Sequence, residues 1–305
     1  MELSKEYFTY LPIEPPSDIL AKIPSGIPQF LDNTPASREL RSAYVQHVIS
    51  KTLTYRIFQP FLFTLGRRYD KADTFFQMLS IDIRRKSVRR EALWRQQTLK
   101  AAYTTSDAKQ AINVVAAVIV DEIVDHIRHF TDPKHLDALL TSVRKIVKLA
   151  AETWRLARVE RELIIATMPS AEDDQTANTE WEEFRYDSDS PREAPSEPLS
   201  SNRRPLLRML PRIYREAVHE DFVTEDIEKA TSCTYSPGVI LYTNSPSVIA
   251  RRTELLKKTA DSSGPLNEAE DPLETSNGAD SNTSPSGQQV VEESEEIPNV
   301  DGEKK

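Results

Sequence analysis

A single cysteine, Cys233, stands among the 305 residues. No intramolecular disulfide framework is possible, and a reducing compartment, cytosol or nucleus, is the expectation. Only seven glycines are present. Sandwiches and barrels need many tight turns, and phosphate loops need glycine, so the shortage disfavours both. Walker loop, dinucleotide fingerprint and Gly-x-Ser-x-Gly elbow are all missing. The longest apolar run, Val114 to Val120, is far below the ~20 residues that cross a bilayer, and no transmembrane segment is expected. Met1 to Glu6 has no basic region followed by an apolar one, so no secretory signal is expected either. Apolar residues make up 38% of the chain, below the ~45–50% usual for a fully packed chain, so part of it should not join a core.

What is plentiful is proline, 20 residues, and charge. The net charge of −9 is segregated. Residues 34–169 carry +9 and 203–258 carry +3, against −3 in 1–33, −8 in 170–202 and −10 in 259–305. A basic body joined to acidic segments follows. Such segments either keep the chain solvated or fold back and compete with an anionic partner.

Periodicity predicts an all-α protein: a bundle of about four long helices with an extended N-terminal arm, an acidic disordered linker and an acidic disordered tail. Residues 1–33 read as a Pro-punctuated arm that lies on a core. The bundle spans 34–169. Its first helix begins near Thr34-Pro35 with the stripe Leu40, Tyr44, Val48. A second runs unbroken from Asp70 to Tyr103, although its apolar face fails over residues 84–91. A third, after Thr105-Ser106, is apolar nearly all round its middle and belongs at the centre. The fourth starts at Asp132-Pro133 and carries a coiled-coil-like seam, Leu136, Leu140, Val143, Val147, Ala150, Trp154 and Ala157, resuming at Ile164 and Met168 until Pro169. Residues 170–202 read as the linker. Residues 203–258 read as a small docking segment, with a short strand at Val239–Tyr242 and a helix from Ser245-Pro246. Residues 259–305 read as the tail.

Two stretches carry a resemblance: Arg84-Arg85-Lys86-Ser87-Val88-Arg89-Arg90-Glu91-Ala92-Leu93-Trp94 with Thr98 to Thr105, and Ala150 to Arg158. They resemble a group of helical proteins of filamentous fungi to which no activity is assigned. The resemblance spans about residues 60–168. It implies a fungal source and no function.

The basic contact face is the main candidate site: Arg84, Arg85, Lys86, Arg89, Arg90 and Arg95. Such a cluster suits an acidic protein partner, nucleic acid, anionic lipid or a nuclear localisation signal. Arg84-Arg85-Lys86-Ser87 matches a basophilic kinase site, and a phosphate on Ser87 would offset the charge. Ser188 and Ser190 are phosphorylation candidates in the acidic linker. Glu122, Asp125, His126 and His129 fall within two turns. A bundle metal site needs paired Glu-x-x-His halves, and these spacings instead predict surface pairs Glu122–His126 and Asp125–His129. No catalytic residue, metal or cofactor is expected. Cys233, with His219 fourteen residues earlier, reads as inert. Ile57–Leu65 followed by Arg67-Arg68 reads as buried in the bundle rather than as a membrane-surface element. The function expected is a non-enzymatic adaptor or regulatory protein binding a partner through the basic face. The alternatives are a nucleic-acid-associated nuclear factor with an acidic tail, and a cryptic metal-dependent enzyme.

Overall fold

The computed structural model describes residues 2–59, 61, 70–104, 106–169, 181–186, 204–217, 219 and 232–262. All belong to one compact unit, 1–262. The arm, the helical part and the 203–258 segment lie together in that unit.

The eight α-helices among these residues are α1 (Glu2–Tyr7), α2 (Ser17–Leu20), α3 (Pro35–Arg56), α4 (Asp70–Lys86), α5 (Val88–Thr104), α6 (Ser106–Ile127), α7 (Leu136–Ala157) and α8 (Pro246–Ser262). The strands are β1 (Ile164–Thr167), β2 (Glu182–Glu183), β3 (Pro205–Arg215) and β4 (Cys233–Tyr242). They form one mixed sheet in the order β1-β3-β4-β2, with β1–β3 and β3–β4 antiparallel and β2–β4 parallel. This overturns the all-α expectation. Leu206, Leu207, Met209 and Leu241 join the helical core, while Ile240 and Tyr242 point to the other face and pack with Trp181. A strand buried on both faces shows no polar–apolar alternation, so the segment did not read as one. Pro211 sits inside β3 between two register shifts of its ladder with β4, at Arg208/Leu210 and Ile213/Tyr214, and irregular pairing of this kind is where a strand accommodates proline. Trp181, Glu182, Glu183 and Phe184 were expected in a disordered linker. Instead β2 lies beside β4, and Trp181 and Phe184 are buried. The rest of that linker lies outside the described residues, as does the tail beyond Ser262; residues 259–262, expected to be disordered, are the last turn of α8.

The central helix is α3, not α6. Val114 and Val118 of α6 are more than half exposed, whereas α3 is buried on nearly every side and packs against α1, α6, α8 and β3. Its polar residues hid this. Several of them are satisfied inside the fold: Gln46 donates to Ser4 Oγ at 2.8 Å, and Thr54 Oγ donates to the Ser50 carbonyl at 2.7 Å.

The long second helix breaks at Ser87. Its backbone N–H still bonds to the Ile83 carbonyl, and its Oγ then accepts from Arg90 N at 3.3 Å, capping α5. Ser80 Oγ donates to Glu91 Oε1 at 2.9 Å, and the Phe76 and Trp94 rings lie 6.1 Å apart. In a straight helix residues 80 and 91 would be ~16 Å apart. So α4 and α5 fold back on each other, and the stretch without apolar residues is the turn of a helical hairpin.

α7 ends at Ala157, eleven residues before Met168, and Ile164 belongs to β1. Its buried face is Leu139, Val143, Val147, Ala151 and Trp154, a stripe stepping mostly by four rather than the heptad seam expected.

Five arginines, Arg41, Arg95, Arg158, Arg208 and Arg251, are at most 3% exposed. Each gathers backbone carbonyls from irregular chain. Arg41 takes those of Phe8, Thr9, Phe30 and Asp32 and so ties down the arm. Burial, then the nearby Arg38, lowers its pKa to about 10. Arg158 takes Ile57 and Gln59 beyond α3. Arg208 takes Pro169, and Arg251 takes Gln29 while pairing with Asp32 and Glu254. Much of the charge counted as a basic surface is thus internal. A planar guanidinium can saturate several carbonyls at once.

Candidate basic contact surface

The turn between α4 and α5 divides the six predicted contact residues. Arg95 is 1% exposed and Glu91, its partner at 3.0 Å, is 0%. Arg95 also donates to the carbonyls of Arg158, Glu160 and Arg161. It closes the C-terminal end of α7, where the last carbonyls lack helical partners, and is no part of a contact face. Arg84 is half-buried, pairing with Glu216 and lying 3.9 Å from Glu91. These two are corrections: they hold the hairpin shut.

Arg85, Lys86, Arg89 and Arg90 are exposed. Arg85 lies 3.4 Å from Asp82, also exposed, a pair that water largely screens. Lys86, Arg89 and Arg90 have no ionic partner among the described residues. Beside them, Phe75, Met78 and Ile81 are exposed on the outer face of α4, where spacings of three and four place them with Arg85. Ser87 is half-buried at the turn, its hydroxyl engaged as the cap of α5. Ser188 and Ser190 lie outside the described residues.

The carboxylates and histidines of α6 do not form the pairs expected. Glu122 is paired with Arg56 at 2.8 Å, Asp125 with Arg128 at 3.5 Å, and His126 Nε2 lies 2.8 Å from the Tyr44 hydroxyl. Among the described residues no group of three or more metal-ligating side chains converges. Cys233 is exposed at the start of β4. Of the Ile57–Leu65 run, Ile57 and Phe61 are buried and Phe58 stacks on Trp154 at 4.7 Å. Residues 62–69, with Arg67 and Arg68, lie outside the described residues. No helix among those described is long and apolar enough to cross a membrane.

A cavity of about 280 Å³ opens between the arm, α3 and α6, lined in part by Lys22, Tyr44, His47, Lys51, Arg56, Glu122 and His126. Residues 44, 47, 48, 51, 52 and 55 recur at helical spacing along α3. That periodicity was available in the sequence, but its polar members masked it as an exposed face. His47 Nδ1 lies 2.6 Å from the Arg208 carbonyl. Burial, then Lys51, holds the His47 imidazole below its ordinary value against that hydrogen bond. Burial, then Lys22 and neighbouring cationic groups, does the same to His126. Burial also pushes the Tyr44 phenol up to about 12.

No family model, curated protein or solved structure matches this chain.

Proposed function

We propose that the protein is a non-enzymatic adaptor, working in the cytosol or nucleus, that engages an acidic, amphipathic segment of a partner protein through the tip of the α4–α5 hairpin. The observation that carries this is the exposure of Arg85, Lys86, Arg89 and Arg90 around one turn, continuous with Phe75, Met78 and Ile81. Charge there steers the encounter, and the apolar residues supply area to bury. A protein partner suits this surface better than nucleic acid. Trp94 is half-buried and packs on Phe61 and Phe76, so it is not free to stack on bases, and exposed Phe75 lies ~15 Å along α4 from Arg85, at the far end of the apolar row.

The structure also dictates the test. Deleting residues 84–90 would remove Arg84 and the Ser87 cap and collapse the hairpin. The informative variant is Arg85→Gln, Lys86→Gln, Arg89→Gln and Arg90→Gln together, in the full chain. Affinity purification from the native cell, quantified against wild type and against a Lys145→Gln/Lys148→Gln control, should lose a partner bearing an acidic segment in the quadruple variant alone. Recombinant complex should weaken with salt. Unchanged partners in a folded quadruple variant sink the reading. Loss of bound nucleic acid instead of protein replaces it with the nuclear-factor alternative.

A further inference from the structure

The hairpin tip leaves the cavity beside α3 without a role. The cavity is built from three directions. Lys22 comes from the arm, Tyr44, His47 and Lys51 from successive turns of α3, and His126 from α6. Glu122, the one carboxylate among the described lining residues, is already engaged by Arg56 at 2.8 Å. Two ammonium groups, two imidazoles and a phenol thus surround about 280 Å³, close to the ~300 Å³ at which small-ligand sites begin. We infer that this cavity binds a small doubly charged oxyanion, inorganic phosphate or a phosphate monoester.

The hydrogen-bond arrangement suits such a ligand and adds a condition. The Arg208 carbonyl can only accept, so the neutral His47 ring carries its proton on Nδ1. Its Nε2 is then bare, and it donates to an anion only after the ring takes up a second proton. The Tyr44 hydroxyl is kept protonated by burial and shares its hydrogen bond with His126 Nε2. The charge that the protein itself places around the cavity is cationic: Lys51 beside His47, and Lys22, Lys51, His47 and His129 around His126. Arg56 and Glu122 neutralise each other at the rim. A dianion reverses that balance and favours the charged imidazole. Uptake of the dianion therefore brings a proton with it, and above the ligand's own second ionisation binding tightens as pH falls.

Isothermal titration of the full chain with inorganic phosphate, against chloride at equal ionic strength, tests the site. Saturable binding is expected at neutral pH, weakening by up to about tenfold per pH unit above the second ionisation of phosphate for one proton taken up, and levelling off below it, where the monoanion brings that proton itself. Proton uptake is measured directly by repeating the titration in buffers of different ionisation enthalpy. Lys51→Met or Lys22→Met should weaken binding at least about tenfold, as one charge-assisted contact is lost. His47→Gln, which keeps a donor, should bind with its pH dependence reduced. The quadruple hairpin variant should bind phosphate as wild type does. Loss there would assign the heat to the tip and overturn the proposal, while leaving the adaptor reading in place. Should the lysine variants fail to fold, phosphate must still raise the titration midpoints of two histidine ring resonances in the wild-type protein. Glycerol 3-phosphate binding tighter than phosphate identifies an esterified ligand, and equal or weaker binding identifies the free anion. No saturable binding of either, no displacement of the histidine midpoints, or lysine variants that bind as wild type does would each overturn it.

Discussion

Replacing Arg95 by methionine tests the claim that part of the apparent basic face is interior. The substitution keeps an unbranched side chain and removes the guanidinium. Glu91, 0% exposed, then keeps only the Ser80 hydroxyl and the more distant Arg84. Breaking a buried ion pair from one side costs ~3–5 kcal/mol, because the remaining charge stays buried and unpaired. The carbonyls of Arg158, Glu160 and Arg161 lose their donor as well. Glu160 and Arg161 are exposed, so water replaces part of that loss, and the total stays at about 4 kcal/mol. For a unit of this size that lowers Tm by roughly 8–16 °C. Urea unfolding with an unchanged m-value measures the difference directly. Arg85→Met, at a side chain 75% exposed, should change stability by no more than ~0.5 kcal/mol. Adding Glu91→Met to Arg95→Met should recover about 2 kcal/mol, since removing both partners leaves no buried charge. A single-variant loss below ~1 kcal/mol, or a double variant worse than the single, would refute the reasoning.

Other consequences follow from the same structure. Gly238 has φ 75°, and a Cβ there would meet the Trp181 ring at 2.7 Å. Gly238→Ala should therefore cost at least ~1–2 kcal/mol and raise the exposure of Trp181, readable as a red-shifted tryptophan emission. An unshifted emission and unchanged unfolding midpoint would count against this packing. Burial raises the Asp32 carboxyl, but hydrogen bonds from Lys258, Thr34 and Arg251 outweigh it and hold its pKa well below the usual carboxylate range. Because the folded value is depressed, its stabilisation is complete above the unfolded value near ~4 and is lost as pH falls below it. Asp32→Asn should lower Tm at pH 7 and flatten its decline between pH 5 and 3, and parallel curves for the two proteins would contradict the network. His47, also depressed, contributes stability above about pH 6.5 that fades on acidification. His47→Gln should reduce the loss between pH 7 and 5, measured by the same scans. Ser87→Ala removes the cap of α5 and should cost ~1 kcal/mol, whereas Ser87→Asp should keep most of that stability and weaken partner binding. Equal partner affinity for Ser87→Asp and wild type would separate the turn from the contact surface.

How much was legible depends on whether the deciding contacts were local. Asp132-Pro133 opens a 3-10 turn that leads into α7 at Leu136, but the helix starts at Thr34-Pro35 and Ser245-Pro246 are chemistry within a few residues, and sequence alone placed them. So were the run of cations at 84–90 and the β-strand at Val239–Tyr242. The sheet was not, because β3 finds its partners in β1 and β4, well apart in the chain, and its two buried faces erase alternation. The centrality of α3 was not either. Gln46, Arg41 and Thr54 look like surface residues until their partners arrive from elsewhere.

The basic cluster shows the division most clearly. Composition determined that five cations crowd residues 84–90 and that the apolar stripe fails there. It also determined that Ser87 can cap a helix. Only the tertiary structure decided that the chain turns at that gap, sending Arg84 and Arg95 inward and leaving Arg85, Lys86, Arg89 and Arg90 outside. The physical reason lies in Arg95. It ends α7 by binding carbonyls 63–66 positions away, and an interaction at that separation leaves no mark on local periodicity. A guanidinium reads as surface charge in any sequence, and whether it meets water or a set of carbonyls is settled by the fold.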